Sequence, residues 1–153
     1  MVKSSSTDSA SAIIIHKDKI LLFHRDNIAT IPHPDCWQIP GGGIEPDEDP
    51  GEAVERELQE EVSYVPNTLQ QVGRLTRTDG TKGYIYLSFV NDDDARKFKL
   101  GKGEGQEIGF FTIDKAIRLK LTPTVSYYLP KLRLVLEDLM LKQEIPTDFH
   151  LIL

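Results

Sequence analysis

Between Glu45 and Glu61 the chain carries nine acids (Glu45, Asp47, Glu48, Asp49, Glu52, Glu55, Glu57, Glu60, Glu61) against one base, Arg56, a local charge of −8 in seventeen residues. The whole chain sums to −6, so everything outside this stretch sums to +2. An acidity this local needs a local cause. Read as a helix from Pro50 to about Val62, the stretch has three faces. Val54, Leu58 and Val62 make a narrow apolar stripe, and Glu52, Glu55 and Gln59 point to water. Glu57, Glu60 and Glu61 fall together on the remaining side, beside small Ala53. Like charges at i,i+4, as in Glu57 and Glu61, destabilise a helix by roughly a few tenths of a kcal/mol unless something neutralises them. A hard divalent cation would do so, because Mg²⁺ takes carboxylate oxygens and keeps waters that a substrate phosphate can replace. A solvated acidic helix is the plainer reading of a charge run. The sorting of these acids into a water face and a clustered face favours the metal.

The same residues resemble the Nudix box: Gly, five residues, Glu, seven residues, then Arg-Glu-hydrophobic-any-Glu-Glu-any-Gly-hydrophobic. Gly42, Glu48, Arg56, Glu57, Leu58, Glu60 and Glu61 stand at the required positions, and Tyr64 fills the final hydrophobic place. Six fixed identities arise by chance on the order of once in ten million starts, at about 7% per residue. Ser63 stands where the family has its last glycine, which touches the turn after the helix and not the acids.

Around the box, the chain reads as one ordinary globular unit. It has 153 residues, 39% hydrophobic and 27% charged, enough for a sizeable core. Residues 1–9 are polar and low in complexity and are expected to be a flexible terminal segment, leaving 10–153 as a single domain. One cysteine, Cys36, excludes an internal disulfide and a cysteine-rich zinc site. No apolar run has membrane-spanning length, which by default points to the cytoplasm and to no membrane partner. Net acidity argues against a nucleic-acid polymer as partner.

The elements that must position the box follow from pattern. Ala10 to His16 and Lys19 to His24 read as a hairpin turning at Lys17-Asp18. Arg25 to Asp35, with Pro32 and Pro34, reads as a loop, and Trp37-Gln38-Ile39 as a brief strand. The three glycines after Pro40 are expected to turn tightly and to approach a ligand closely. Asp49, Pro50 and Glu52 start the box helix. Gln71 to Arg77 and Tyr84 to Val90 read as strands, Asn91 to Asp94 as a polar loop, and Glu107 to Thr112 as a strand. Asp114 is expected to cap a short helix, and Pro123 to open another reaching about Met140. Its core face is read as Val125, Tyr128, Leu129, Leu132, Val135, Leu136 and Leu139, with Pro130 kinking or splitting it. The tail, Phe149 to Leu153, is too apolar to be idle; it is expected to dock on the domain or on a second subunit as a homodimer. The element order gives an α+β class. The resemblance implies the Nudix fold, a mixed sheet sandwiched between helices.

A second segment supports the first. Glu104 stands between Gly103 and Gly105 and is followed by Gln106, similar to the Glu-Gly-Gln stretch with which MutT-type Nudix hydrolases bring a further acid to the metal. Glu107 is the competing loop acid. The resemblance implies attack of water on a diphosphate bridge, with Mg²⁺, or Mn²⁺ in its place, as cofactor. It implies Glu57, Glu60 and Glu61 as ligands, with the carbonyl of Gly41 and the carboxylate of Glu104 added. The general base is one of these glutamates. Arg56 is expected to orient carboxylates by ion pairing, and Glu48 to serve as an outer metal contact or as the partner of Arg56. Arg25, Arg77 and Lys82 are candidates for phosphate contact, and Tyr84 or Tyr86 for stacking a base. Pro66 and Pro123 have no proline between them, so the downstream proline typical of ADP-ribose hydrolases is absent, and the Glu-Gly-Gln match favours a small-molecule nucleotide substrate such as a modified nucleoside triphosphate. Leu121 to Thr124 occupies the region where MutT-type enzymes carry a base-recognising asparagine. A Nudix-fold sensor that binds nucleotide without cleaving it is the alternative.

Overall fold

A computed structural model describes residues 7–153. Its centre is strand β1 (Ser9–His16), whose isoleucines alternate between two cores. Strands β2 (Lys19–His24), β3 (Trp37–Gln38), β4 (Gly41–Gly43), β5 (Gln70–Thr76), β6 (Lys82–Phe89) and β7 (Glu107–Thr112) complete one sheet. Its main path runs β3-β2-β1-β6-β5, with β4 on β1 and β7 on β2. Among the strand pairs of the described residues, β1 and β6 run parallel, from Ser9↔Gly83 to Ile15↔Phe89, and the others are antiparallel. The sheet is therefore mixed, and its central strand is apolar on both faces because both are covered.

On one face, Ile13, Ile15, Ile20, Leu22, Ile85 and Leu87 pack against helix α4 (Pro123–Lys142) through Val125, Tyr128, Leu129, Leu132, Leu136, Leu139 and Met140. On the other, Ala10, Ala12, Ile14 and Leu21 meet helix α1 (Pro50–Val62) through Ala53, Val54, Leu58 and Val62. Two alanines on β1 let α1 lie close to the sheet, and that closeness brings the box glutamates to β4. Single-turn helices α2 (Asp92–Ala95) and α3 (Ile113–Ala116) join the larger elements.

Several expectations are corrected. The three glycines form strand β4, with Gly41, Gly42 and Gly43 opposite Ser11, Ala10 and Ser9. Asn91 to Asp94 is largely helix α2, because the Asn91 side chain accepts the Asp94 N–H and starts a turn. Thr112, and not Asp114, caps α3, its hydroxyl accepting from Lys115 N. Helix α4 runs unbroken past Pro130 and does not split; Val135 on it is 40% exposed and stands outside the core, where Met140 takes a place. Residues 1–6 lie outside the described residues, but Asp8 and Ser9 are bound in: Asp8 accepts Lys82 N through its carboxylate and Ile44 N through its carbonyl, and Ser9 opens β1. The tail returns to its own sheet, where Leu151 N donates to Val72 O at 2.6 Å and the Leu151 side chain is buried beside Gly73. Among the described residues no helix is long and apolar enough to cross a membrane.

Candidate active site and metal centre

Helix α1 begins at a full capping box. Asp49 accepts Glu52 N at 2.8 Å, and Glu52 accepts Asp49 N at 3.1 Å. It ends at Ser63, which takes the left-handed conformation (φ 62°) that a glycine would take more easily. The serine departure from the box therefore leaves the turn in place. Between these ends the apolar stripe fixes the helix rotation, and the rotation decides how each glutamate is buried.

Glu61 is 4% exposed and lies under β4, where its Oε1 accepts Gly41 N at 2.8 Å and its Oε2 accepts from Gln38 Nε2 at 3.3 Å. The side chain of Glu57 is 12% exposed and receives Arg56 Nη1 at 3.0 Å. Glu104, exposed on its loop, reaches the same place: carboxylate oxygens of Glu57, Glu61 and Glu104 all lie within 4.8 Å of one another. Glu60 is not one of the three; its side chain is half exposed, 3.5 Å from Arg56 Nη1, on the rim beside Lys102, Gly103 and Glu104. Glu107 is also elsewhere, paired with His24 Nδ1 at 3.2 Å at the start of β7.

Arg56 organises this side of the site. Its Nε and Nη2 grip Glu48 at 2.8 and 3.0 Å, and Nη2 also donates to Gly43 O at 3.0 Å. A two-point grip on a carboxylate fixes direction as well as distance. Glu48 is thus the partner of Arg56, whose hydrogen bonds hold its pKa down at about 2. The two inner glutamates shift the other way. Burial raises Glu61 well above the usual carboxylate range, against the Gly41 hydrogen bond. Burial also raises Glu57, against the pull of Arg56. Three converging carboxylates, two of them reluctant to carry charge, form a hard oxygen donor set that a divalent cation fits. The carbonyl of Gly41 lies within the same corner, 3.4 Å from Gln38 Nε2.

The Glu104 loop is held from below. Gly105 N donates to Asp26 Oδ2 at 3.0 Å, Gln106 N to His24 O at 2.8 Å, and Gln106 Nε2 to Arg25 O and Asp35 Oδ1, each at 2.8 Å. His24 stacks on Trp37 and contacts Asp35 Oδ1 at 2.9 Å. The loop from Arg25 to Asp35 and the loop bearing Glu104 are therefore one bonded unit.

Beside Gly41 and Gly42 a cleft of about 190 Å³ opens between the sheet and the first turns of α4, lined by Ser11, Gln38, Arg77, Ile85, Thr122 and Tyr128 among others. Of the substrate-contact candidates only Arg77 lines it, its guanidinium shared between Ser9 Oγ and Thr81 Oγ1. Arg25 is spent on the carbonyls of Pro32 and His33 and on Gln38 Oε1. Lys82 does not line the cleft; its backbone N–H is tied to Asp8. Tyr84 packs on the α1 face of the sheet, away from the cleft, because Gly83 and Ile85 take the alternate positions facing it. Gln38 and Asp26 are site residues that sequence reading missed. The available signal for Gln38 was a polar residue between buried Trp37 and Ile39; Asp26, on a loop, gave none.

With this geometry in view, comparison with known proteins places the chain. The NUDIX domain family model matches residues 6–132. Diphosphoinositol polyphosphate phosphohydrolase 3-beta of Bos taurus is 29% identical over 122 residues, covering 77% of this chain and 71% of that protein. For phosphohydrolases 2 of the same name in mouse and human, the chain spans 64% of their length. A mutT/nudix family protein from Listeria innocua superposes with a TM-score of 0.70 at 21% identity, over 92% of this chain and 99% of that one. The NUDIX domain of Shewanella oneidensis NrtR, solved with ADP ribose, gives 0.69 at 17% identity, over 88% and 90%. At such identities the structural likenesses establish the fold, and the family match establishes more: the chain belongs to the NUDIX domain family and is a hydrolase acting on phosphoanhydride bonds.

Proposed function

We propose that this hydrolase is a divalent-metal-dependent pyrophosphohydrolase that cleaves the diphosphate linkage of a nucleoside di- or triphosphate derivative, with Mg²⁺ as the ion and Mn²⁺ as its substitute. The observation that carries the reading is the convergence of Glu57, Glu61 and Glu104, with Glu61 bound to Gly41 N and Glu57 beside Gly42. When bound there, a divalent ion supplies neutralisation of the phosphate oxygens and polarisation of the phosphorus centre. Glu61, pinned by Gly41 N and Gln38, holds its carboxylate still; Glu57 is held by Arg56, itself anchored by Glu48. Glu104 is the exposed member, so it is the one free to take a proton from the attacking water. Glu60, on the rim, has the same freedom and is the reserve candidate.

The cleft favours a nucleotide over the ring substrates in the relatives' names. Among its described lining residues the basic side chains are Arg77 and His33, and the rest are hydroxyl, amide and apolar groups. A ring bearing many phosphates needs many cations about it, whereas one guanidinium suits one further anionic group. Incubation of the protein with Mg²⁺ and a panel of nucleoside triphosphates, dinucleoside polyphosphates, ADP-ribose and a diphosphoinositol polyphosphate, scoring released phosphate and pyrophosphate, tests the reading. Turnover of a nucleotide, lost in Glu61→Gln, is expected. Best turnover of the diphosphoinositol compound overturns the substrate class, and nucleotide binding by calorimetry with no product overturns catalysis in favour of a sensor.

A further inference from the structure

Helix α4 buries one face against the sheet and leaves a second apolar row in water. Tyr127, Leu134 and Leu141 are 63%, 80% and 86% exposed and recur every seven residues, so they form one line down the helix. Lys131 and Asp138 fall on the same line between them, and Val135 flanks it at 40% exposure. At 100° per residue this line lies almost opposite the buried residues Leu129, Leu132 and Leu136, so nothing in the core uses it. Four of the seven exposed large apolar side chains among the described residues stand here. Scattered apolar residues need no partner, but a continuous line of them does.

We infer that this row is the contact face of a symmetric homodimer, in which two copies of α4 pack antiparallel about an axis passing between Leu134 and Val135. The charges choose the arrangement. In an antiparallel pair, residues equally far on either side of the axis face each other. Lys131 and Asp138 lie equally far from it, about 5 Å along the helix in opposite directions. Each Lys131 therefore meets Asp138 of the partner subunit, twice by symmetry. Leu134 meets Val135, and Tyr127 meets the Leu141 end. A parallel pair would instead set lysine beside lysine and aspartate beside aspartate, which repels. Among the described residues these charges have exposed local partners: Lys131 Nζ lies 4.7 Å from the Tyr127 ring centroid, and Asp138 pairs with Lys142 at 2.9 Å. Contacts of that kind are weak and are readily exchanged for new ones. Because α1 lies on the other face of the sheet, the dimer leaves the glutamate cluster open.

Sedimentation equilibrium across a concentration series from low micromolar to several hundred micromolar tests this. The wild-type chain is expected to pass from the monomer to the dimer mass, and Leu134→Glu to remain monomeric throughout. Lys131→Glu and Asp138→Lys should each weaken dimerisation by about tenfold or more, since each sets like charges face to face. The double reversal, Lys131→Glu with Asp138→Lys, should restore it. All three positions are exposed, so circular dichroism should be unchanged. A wild-type chain that stays monomeric, a dimer indifferent to Leu134→Glu, or a double reversal that fails to restore association overturns the proposal.

Discussion

Replacing Gly42 with alanine should lower activity by about 10²-fold and leave the fold standing. A Cβ placed on Gly42 would lie 2.5 Å from Glu57 Oε1 and 2.6 Å from its carboxyl carbon. Ordinary contacts start at 3.4 Å, so the Glu57 carboxylate must retreat by about 0.9 Å. Gly42 does not have a positive φ, and the obstructing atoms are the end of a side chain, so the backbone accepts the methyl group. Glu57 can yield only by loosening its bond to Arg56 or by leaving Glu61 and Glu104. A misplacement of about 1 Å at a reacting centre lowers the rate by about 10²-fold, or about 2.7 kcal/mol in the barrier. The melting temperature should move by only a few degrees. Gly41→Ala is the contrasting control. Its Cβ would lie 2.3 Å from Ala10 O and 2.5 Å from Ser11 Cα, both backbone atoms of the central strand. No side-chain adjustment relieves that, so β4 must leave β1 and the protein should unfold at a much lower temperature. The assay is kcat and apparent metal affinity for each variant, with thermal melts alongside. A Gly42→Ala protein that folds and keeps wild-type kcat and metal affinity would refute the placement of Glu57.

Other variants address the loops and the helix end. Glu104→Gln should lower kcat by roughly 10²–10⁴-fold with little change in KM, and Glu107→Gln should be mild, as steady-state kinetics will show. Asp26→Ala frees Gly105 N and should lower kcat less than Glu104→Gln does; combined with it, the Asp26 effect should vanish, because it acts only through that loop. Ser63→Gly should raise stability to denaturant by about 0.5–1 kcal/mol, since a serine held at φ 62° gives up more than a glycine there.

What could be read in advance was whatever neighbouring residues decide among themselves. Asp49, Pro50 and Glu52 announce the start of α1, and the hairpin of β1 and β2 follows from two short apolar runs around Lys17-Asp18. Strand β4 was hidden because three glycines carry no side chains to show a period, and their partner, Ser9 to Ser11, lies far upstream. That Tyr84 and Lys82 do not line the cleft was hidden for a related reason: a strand's alternation says which residues share a face but not which face bears the cleft. Asp26 and Gln38 reach the site through contacts with Gly105 and Glu61, distant in the chain.

The three glutamates at the end of the box helix, Glu57, Glu60 and Glu61, were more legible than their grouping suggests. Measured around the helix from Leu58, the centre of the buried stripe, Glu61 is offset by about 60°, Glu57 by about 100° and Glu60 by about 160°. Their exposures follow that order: 4% for Glu61 overall, then 12% and 51% for the side chains of Glu57 and Glu60. The same rotation that seats Val54, Leu58 and Val62 on Ala10 and Ala12 thus gives the acids unequal freedom. Glu61 is fixed by the backbone of β4, Glu57 by Arg56, and Glu60 by little beyond one long contact. A metal needs ligands that do not move, and a proton acceptor needs access to water. Helix geometry separates those needs within five residues, and Glu104, exposed, arrives at the same place from another loop.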